Sequence, residues 1–259
     1  MDVLALGATS TRNVGLIDVL QEAVPEWAAF PVALLTQLGA LWFAGVLIAV
    51  VYVLYDRRDA LVIAGLLLTG TGIWRTIKIV YPVPRPSHEL VALSELPLYL
   101  QPVYDLAVVQ SGPGFPSGHA VTTTVLYFSF AAIVTIGTKR QRYAVAFFMF
   151  ALVGATRIAL GVHYTLDVIA GAIIGHTVLV VGGTLLVVSP TDRVTGALTF
   201  GLVSAGSCLL AKLLLDPGGF WELGLFAVAI SLYAWWRYVE GSTTLEGPRW
   251  DQPLKRVER

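Results

Sequence analysis

Three short stretches of this 259-residue chain hold side chains that could do chemistry together: Lys78 and Arg85, then Ser117-Gly118-His119, then Arg157, His163 and Asp167. Lys78, Arg85 and Arg157 would repel one another at one site unless an anion joined them. An arginine fork matches phosphate oxygens, and lysine adds a point charge. The run Gly112-Pro113-Gly114-Phe115-Pro116-Ser117-Gly118-His119 leads into an apolar stretch. The free amides and positive end of a helix would therefore face the ligand. Ser117 can donate its hydroxyl there, and Gly118 permits close backbone approach. His163 and Asp167 are four residues apart and would share one helix face. Asp167 can accept the hydrogen of one imidazole nitrogen, which fixes the tautomer and leaves the other nitrogen as a nucleophile. His119, opening a different helix, is placed to act as general acid on a leaving oxygen. The chemistry that fits is phosphoryl transfer through a phosphohistidine, with fixed cations in place of Mg²⁺. No carboxylate cluster points to a metal, since Asp167 is the only acid at a helical position in this set, and no cofactor is implied.

The elements that carry these residues are apolar helices. Hydrophobic residues make up 56% of the chain and charged residues 13%, and mean hydropathy is +0.74. Soluble domains carry about 25% charged residues, so the chain has too little polar surface for a soluble globule of its size. That excludes a disordered chain, a disulfide scaffold and an ordinary cytosolic enzyme, and it leaves a polytopic membrane protein. Seventeen basic and seventeen acidic residues balance, which argues against a nucleic-acid partner. Cys208 is the single cysteine and lies in an apolar run, so it reads as packing. The N-terminus lacks the basic start of a cleaved signal.

Spanning stretches fall at about 32–55, 60–80, 119–137, 142–160, 165–188, 195–215 and 220–238. The expected fold is all-α, a polytopic transmembrane bundle of six or seven spans. Residues 1–31 form an N-terminal segment, with an amphipathic interfacial helix from residue 14 that ends near Pro25. Residues 32–240 form the transmembrane domain, and 241–259 a polar tail. Alternating spans bring Lys78, Arg85, His119, Arg157, His163 and Asp167 to one membrane face. Eleven of the seventeen basic residues (Arg57, Arg58, Lys139, Arg140, Arg142, Arg193, Arg237, Arg249, Lys255, Arg256 and Arg259) fall on the opposite side. That side and the tail are expected to be cytoplasmic, with the site on the non-cytoplasmic face of the cell membrane. Loop 81–118 is the only long connection between spans, and its apolar clusters predict that it lies against the membrane surface.

Lys78-x6-Arg85-Pro86, Pro116-Ser117-Gly118-His119 and Arg157-x5-His163-x3-Asp167 resemble the three-part signature of the type 2 phosphatidic acid phosphatase superfamily. That superfamily includes integral membrane lipid phosphatases, and vanadium haloperoxidases share its site. The resemblance covers about residues 60–190, with the motifs in the family's order and spacing. It implies that His163 is the nucleophile and Asp167 its partner. It implies that His119 is the general acid and then the base that activates water. Lys78, Arg85, Ser117, Gly118 and Arg157 would bind the phosphate. Thr156 stands where the family usually has serine, and one full span precedes the first motif where members often have two.

The expected activity is hydrolysis of a lipid phosphate or lipid diphosphate, with phosphatidate, phosphatidylglycerol phosphate and polyprenyl diphosphate all possible substrates. The same intermediate serves a lipid phosphotransferase. A transporter would use the basic site only to hold an anion, which leaves His163 and Asp167 without a purpose. Arg75 reads as an interfacial anchor beside Trp74, and His176 as a structural bond to another helix. His88, Glu89, Glu95 and Asp105 read as solvated loop groups. Gly171-x3-Gly175 reads as helix packing. Trp221, Tyr233, Trp235, Trp236 and Tyr238 fit a membrane belt.

Overall fold

The computed structural model describes Arg12 and residues 14–87, 89–108, 112–216 and 221–243. His88 and the polar tail beyond residue 243 lie outside the described residues. The described chain is helical throughout, with no strand.

A short amphipathic helix, α1 (Leu16–Ala23), opens the fold and stops before Pro25 as expected. It docks on the bundle through Ile17, which is buried against Ala120, Ile158, Tyr164 and Val168. The stretch expected as one span over 32–55 is two helices, α2 (Ala29–Thr36) and α3 (Leu41–Leu54), bent by 51°. The break falls at a 3₁₀ turn, Gln37–Gly39, followed by extended Ala40. A Cβ on Gly39 would stand 2.6 Å from Val153 Cγ1 and 3.3 Å from His119 Cδ2, so only glycine lets the chain pass there. Tyr127 Oη donates to the Leu38 carbonyl at 2.9 Å, satisfying one group that the break releases.

α4 (Arg57–Val80) starts where Asp56 accepts from the backbone N–H of Arg58 and Asp59. Twenty-four residues at 1.5 Å each reach about 36 Å, enough for the hydrocarbon layer. Loop 81–118 then carries a 3₁₀ turn at Leu93–Glu95 and a short helix, α5 (Gln101–Val108). Tyr104, Ala107 and Val108 of α5 are buried against Ala29, Ala33, Leu160 and Val162, so the loop packs on the end of the bundle. Glu89 and Glu95 are exposed and Asp105 is half-buried.

α6 (Gly118–Ile133) is the central helix, with Ala120–Leu126 buried. At 16 residues it is shorter than the 119–137 expected. Gly137 adopts φ +74° in the turn that follows, and Thr138 caps the next helix. Encased by neighbours, α6 has no lipid thickness to match. α7 (Lys139–Ala159) opens with a capping box between Thr138 and Gln141. α8 runs Thr165–Val188 with one π turn at Val178–Gly182. α9 (Arg193–Leu215) is capped by Asp192, and α10 is Trp221–Thr243.

Small residues set how closely these helices approach. The glycine pair of α8 packs as expected: a Cβ on Gly171 would lie 2.5 Å from the Ser117 carbonyl, and one on Gly175 2.6 Å from Thr124 Cβ. Likewise α4 and α9 form the most extensive pair, with Gly65 against Ala197 and Gly72 against Ser204. Cys208 is buried in α9, as packing.

Composition leads to six or seven spans. Among the described residues four helices are long and apolar enough to cross a membrane: α4, α7, α8 and α9. The bent pair, from Glu26 to Leu54, makes a fifth if it counts as one span. α6 is apolar but short. α10 carries Glu222, Arg237 and a run of Trp and Tyr residues that lowers its hydropathy.

Candidate active site

The ends of α4, α6, α7 and α8 meet at one pole of the bundle, because each connection reverses direction. Lys78 lies in the last turn of α4 and Arg157 in the last turn of α7. Ser117 is the N-cap of α6, its Oγ accepting from Ala120 N at 3.4 Å and its N–H donating to the Asp167 carbonyl at 2.9 Å. That last bond ties the second motif to the third.

His163 precedes the N-cap of α8, Tyr164, so it is not on the helix face that its spacing suggested. Asp167 sits at the third helical position and accepts the Tyr164 N–H at 2.9 Å. The carboxylate therefore caps its own helix, and the cap turns His163 back toward it: His163 Nδ1 stands 3.5 Å from Asp167 Oδ2. The two side chains are 1% and 0% exposed. This contact is ion-pair reach, wider than a hydrogen bond.

Arg85 closes the other side of the imidazole. Its Nη1 donates to the Val162 carbonyl at 2.8 Å and lies 3.3 Å from His163 Nε2. Its Nε donates to the Gly112 carbonyl at 3.1 Å. A guanidinium against Nε2 and a carboxylate on the Nδ1 side together favour a lone pair on Nε2 and the ring hydrogen on Nδ1, facing Asp167. Burial, then the charges of Arg85, Arg157, Lys78 and His119, hold the His163 imidazole well below the usual histidine range. Burial likewise pushes Arg85 down to about 10, which still leaves it charged at neutral pH.

Arg157 is fully buried. Its Nη1 donates to the Ala107 carbonyl at 2.8 Å and to Thr36 Oγ1 at 3.4 Å. Its Nε and Nη2 have no hydrogen-bond partner among the described residues. A buried cation with two unspent donors is costly, and an anion seated there would take both. Lys78 Nζ spends one N–H on the Pro113 carbonyl at 2.7 Å and lies 5.2 Å from the Trp74 ring.

Gly118 has a second use beyond access. A Cβ there would lie 2.9 Å from the Trp74 indole, so Trp74 is wedged between Gly118 and Lys78. His119 is half-buried next to Gly39. Lys78, Arg85, Ser117, Gly118, His119, Arg157, His163 and Asp167 thus occupy one pole.

Arg75, His176 and Trp74 took different places from those expected. Arg75 is no anchor at the lipid surface: its Nη1 pairs with Glu222 of α10 at 2.7 Å, between the rings of Trp74 and Trp221. His176 Nδ1 bonds the Ala172 carbonyl of its own helix at 2.9 Å, and its ring meets Phe128 edge-on. Trp74 is wedged in the site and not held in a surface belt; its i, i+4 relation to Lys78 was visible in the sequence. Arg12 reaches Asp167 from a segment that no motif covers, with Nη1 on Oδ1 at 3.0 Å. Among the described residues no three of His, Cys, Asp and Glu are grouped as metal ligands.

Fold and site together define an all-α membrane protein with a buried cluster of basic side chains and histidines at one end of its helices. The sequence matches the family model of the PAP2 superfamily over residues 40–188. That stretch is more than half of the chain and contains all three motifs, and the chain belongs to this phosphatase-type family. Comparisons with curated proteins and with solved structures found no match.

Proposed function

We propose that this protein is an integral membrane lipid phosphatase, acting on a lipid phosphate or lipid diphosphate through a phosphohistidine at His163. The observation that carries the reading is Arg157, buried with two unspent donors beside a neutral histidine whose far nitrogen faces a carboxylate. Binding alone would not call for that histidine–carboxylate pair.

In this reading the substrate phosphate takes over the Arg85 fork and the free donors of Arg157 and Lys78. His163 Nε2 attacks phosphorus as the bond to the lipid oxygen breaks. His119, protonated once the bound phosphate offsets the neighbouring cations, gives that oxygen a proton. Water then attacks phosphorus, the phosphorus–nitrogen bond breaks, His119 takes a proton from that water, and inorganic phosphate leaves with His163 restored. Charge developing on the equatorial oxygens meets cations already in place.

A lipid substrate is favoured by an apolar groove of about 1120 Å³ between α3, α4 and α10. Its lining includes Leu41, Thr71 and Trp221. Leu41 follows Gly39, which abuts His119, and Thr71 lies one turn from Trp74, which abuts Gly118. One hydrocarbon chain could lie there with its head group at the pole. The excess of basic residues at the opposite pole favours a site on the non-cytoplasmic face of the cell membrane.

The test is release of inorganic phosphate from a panel of lipid phosphates and diphosphates by purified protein, with EDTA present. Turnover by the wild type, loss in His163→Ala, and an acid-labile phosphoprotein on quenching are expected. Full activity in His163→Ala would overturn the nucleophile, and strict metal dependence would overturn the mechanism.

A further inference from the structure

The N-terminal segment enters the catalytic pole, although it precedes the family match, which begins at residue 40. The Arg12 side chain is 9% exposed. Its contacts with the site include two hydrogen bonds and a ring contact. Nη1 donates to Asp167 Oδ1 at 3.0 Å. Nη2 donates to the carbonyl of Pro84, the residue before Arg85, at 2.7 Å. The guanidinium carbon lies 4.7 Å over the ring of Tyr164, the residue after His163.

These contacts account for the orientation of the carboxylate. Oδ1 is taken by Arg12 and Oδ2 accepts the Tyr164 N–H at 2.9 Å. The two anchors fix the carboxylate plane, and Oδ2 is the atom turned toward His163 Nδ1 at 3.5 Å. Arg12 also supplies the counter-charge that a fully buried carboxylate needs. Without it, Asp167 would either take a proton or turn toward Lys78, Arg85 or Arg157, the cations that the phosphate requires. With it, the carboxylate is satisfied without turning toward Lys78, Arg85 or Arg157.

We propose that Arg12 is a positioning residue, which keeps Asp167 ionised and turned onto Nδ1 of His163 so that Nε2 is the nucleophile. The proposal rests on the phosphohistidine reading above, and it adds a residue from outside the three motifs.

Arg12→Gln and Arg12→Lys in the full-length chain test it. The first readout is kcat and KM between pH 5 and 9 on a lipid phosphate that the wild type hydrolyses. Arg12→Gln is expected to lose on the order of 10–100-fold in kcat, by analogy with the loss of a group that orients a metal-bound histidine, with KM nearly unchanged. Its acid limb moves to higher pH, because a buried Asp167 without Arg12 takes up a proton more readily. The groups facing the Asp167–His163 pair are Arg12, Tyr164, Lys78, Arg85, Arg157 and His119, and all but Arg12 are unchanged in the variant. Arg12→Lys, which keeps the charge but loses the fork, should fall between. Added guanidinium ion should restore part of the Arg12→Gln rate.

The second readout does not depend on turnover. In ¹⁵N-histidine NMR the chain has four histidines, and His163→Ala identifies the signal of His163. The wild type should show the Nδ1–H tautomer at His163, and Arg12→Gln a mixed one. An unchanged tautomer, with kcat falling only as the folded fraction falls and the pH profile unmoved, would overturn the proposal. Failure of the wild type to hydrolyse any lipid phosphate would overturn the function reading alone, since the tautomer experiment would still decide the role of Arg12.

Discussion

Arg157→Met should separate binding from stability. In the resting protein Arg157 donates from Nη1 to the Ala107 carbonyl at 2.8 Å, while Nε and Nη2 donate to no described group. Methionine removes a hydrogen bond from a charged donor, worth about 1.5–3 kcal/mol, and leaves a buried carbonyl short of its partner, about 1–3 kcal/mol. It also removes a buried charge, whose effective desolvation penalty is several kcal/mol. The two sides cancel to within about 2 kcal/mol, so the variant should fold with a Tm close to that of the wild type. Activity has no such cancellation. Donors that meet charge in a transition state are worth about 2.7–4 kcal/mol each, and here two are lost, so kcat should fall by about 10,000-fold or more. Orthovanadate gives a second measure, since a ligand at about 100 times its Kd adds about 2.7 kcal/mol to stability. A thermal shift with vanadate is expected for the wild type and none for Arg157→Met. Phosphate release within tenfold of the wild type, or an undiminished vanadate shift, would refute the assignment of the unspent donors to an anion. A variant that does not fold would refute the cancellation.

Three further outcomes follow from the packing and charge of the same pole. His163 stays neutral in the folded protein while an unfolded histidine takes up a proton below about pH 6.5, so His163 should cost the fold stability as pH falls through that value. The loss should approach about 1.4 kcal/mol per pH unit, and comparing Tm of the wild type and His163→Asn between pH 5 and 7 should show a shallower slope in the variant. Gly118→Ala puts a methyl 2.9 Å from the Trp74 indole; the expected cost is about 1–3 kcal/mol, with lost activity. Adding Trp74→Leu should recover much of the Tm, as a double-mutant cycle would show. Glu222→Gln leaves Arg75 between two indoles without its carboxylate, and should cost about 2–3 kcal/mol, below the range for fully buried pairs because the ring contacts remain. An unchanged Tm would show that α10 is held to α4 by its apolar contacts alone.

Much of this protein was legible in its residues. The low charge content required lipid-facing helices, since so little polar surface cannot cover a soluble fold. The alternation of apolar runs forced Lys78, Arg157, Ser117 and Asp167 to one pole, because the chain reverses direction between successive spans. Those two facts are local and need no coordinates. Contacts between segments distant in sequence were not legible. The kink at Gly39 exists because Val153, Thr123 and His119 leave no room for a side chain, and each of them lies on another helix. Arg75 looked like an anchor until Glu222, 147 residues away, supplied its partner. Arg12 had no motif or period to mark it, and only the packing of α1 on α6, α7 and α8 carries it to Asp167, 155 residues on. The sequence by itself determined which chemistry the pole could hold, because charge in an apolar chain is scarce enough to be counted. Only the tertiary structure decided how that charge is spent, because which donor meets which acceptor depends on distances between helices that no spacing along the chain encodes.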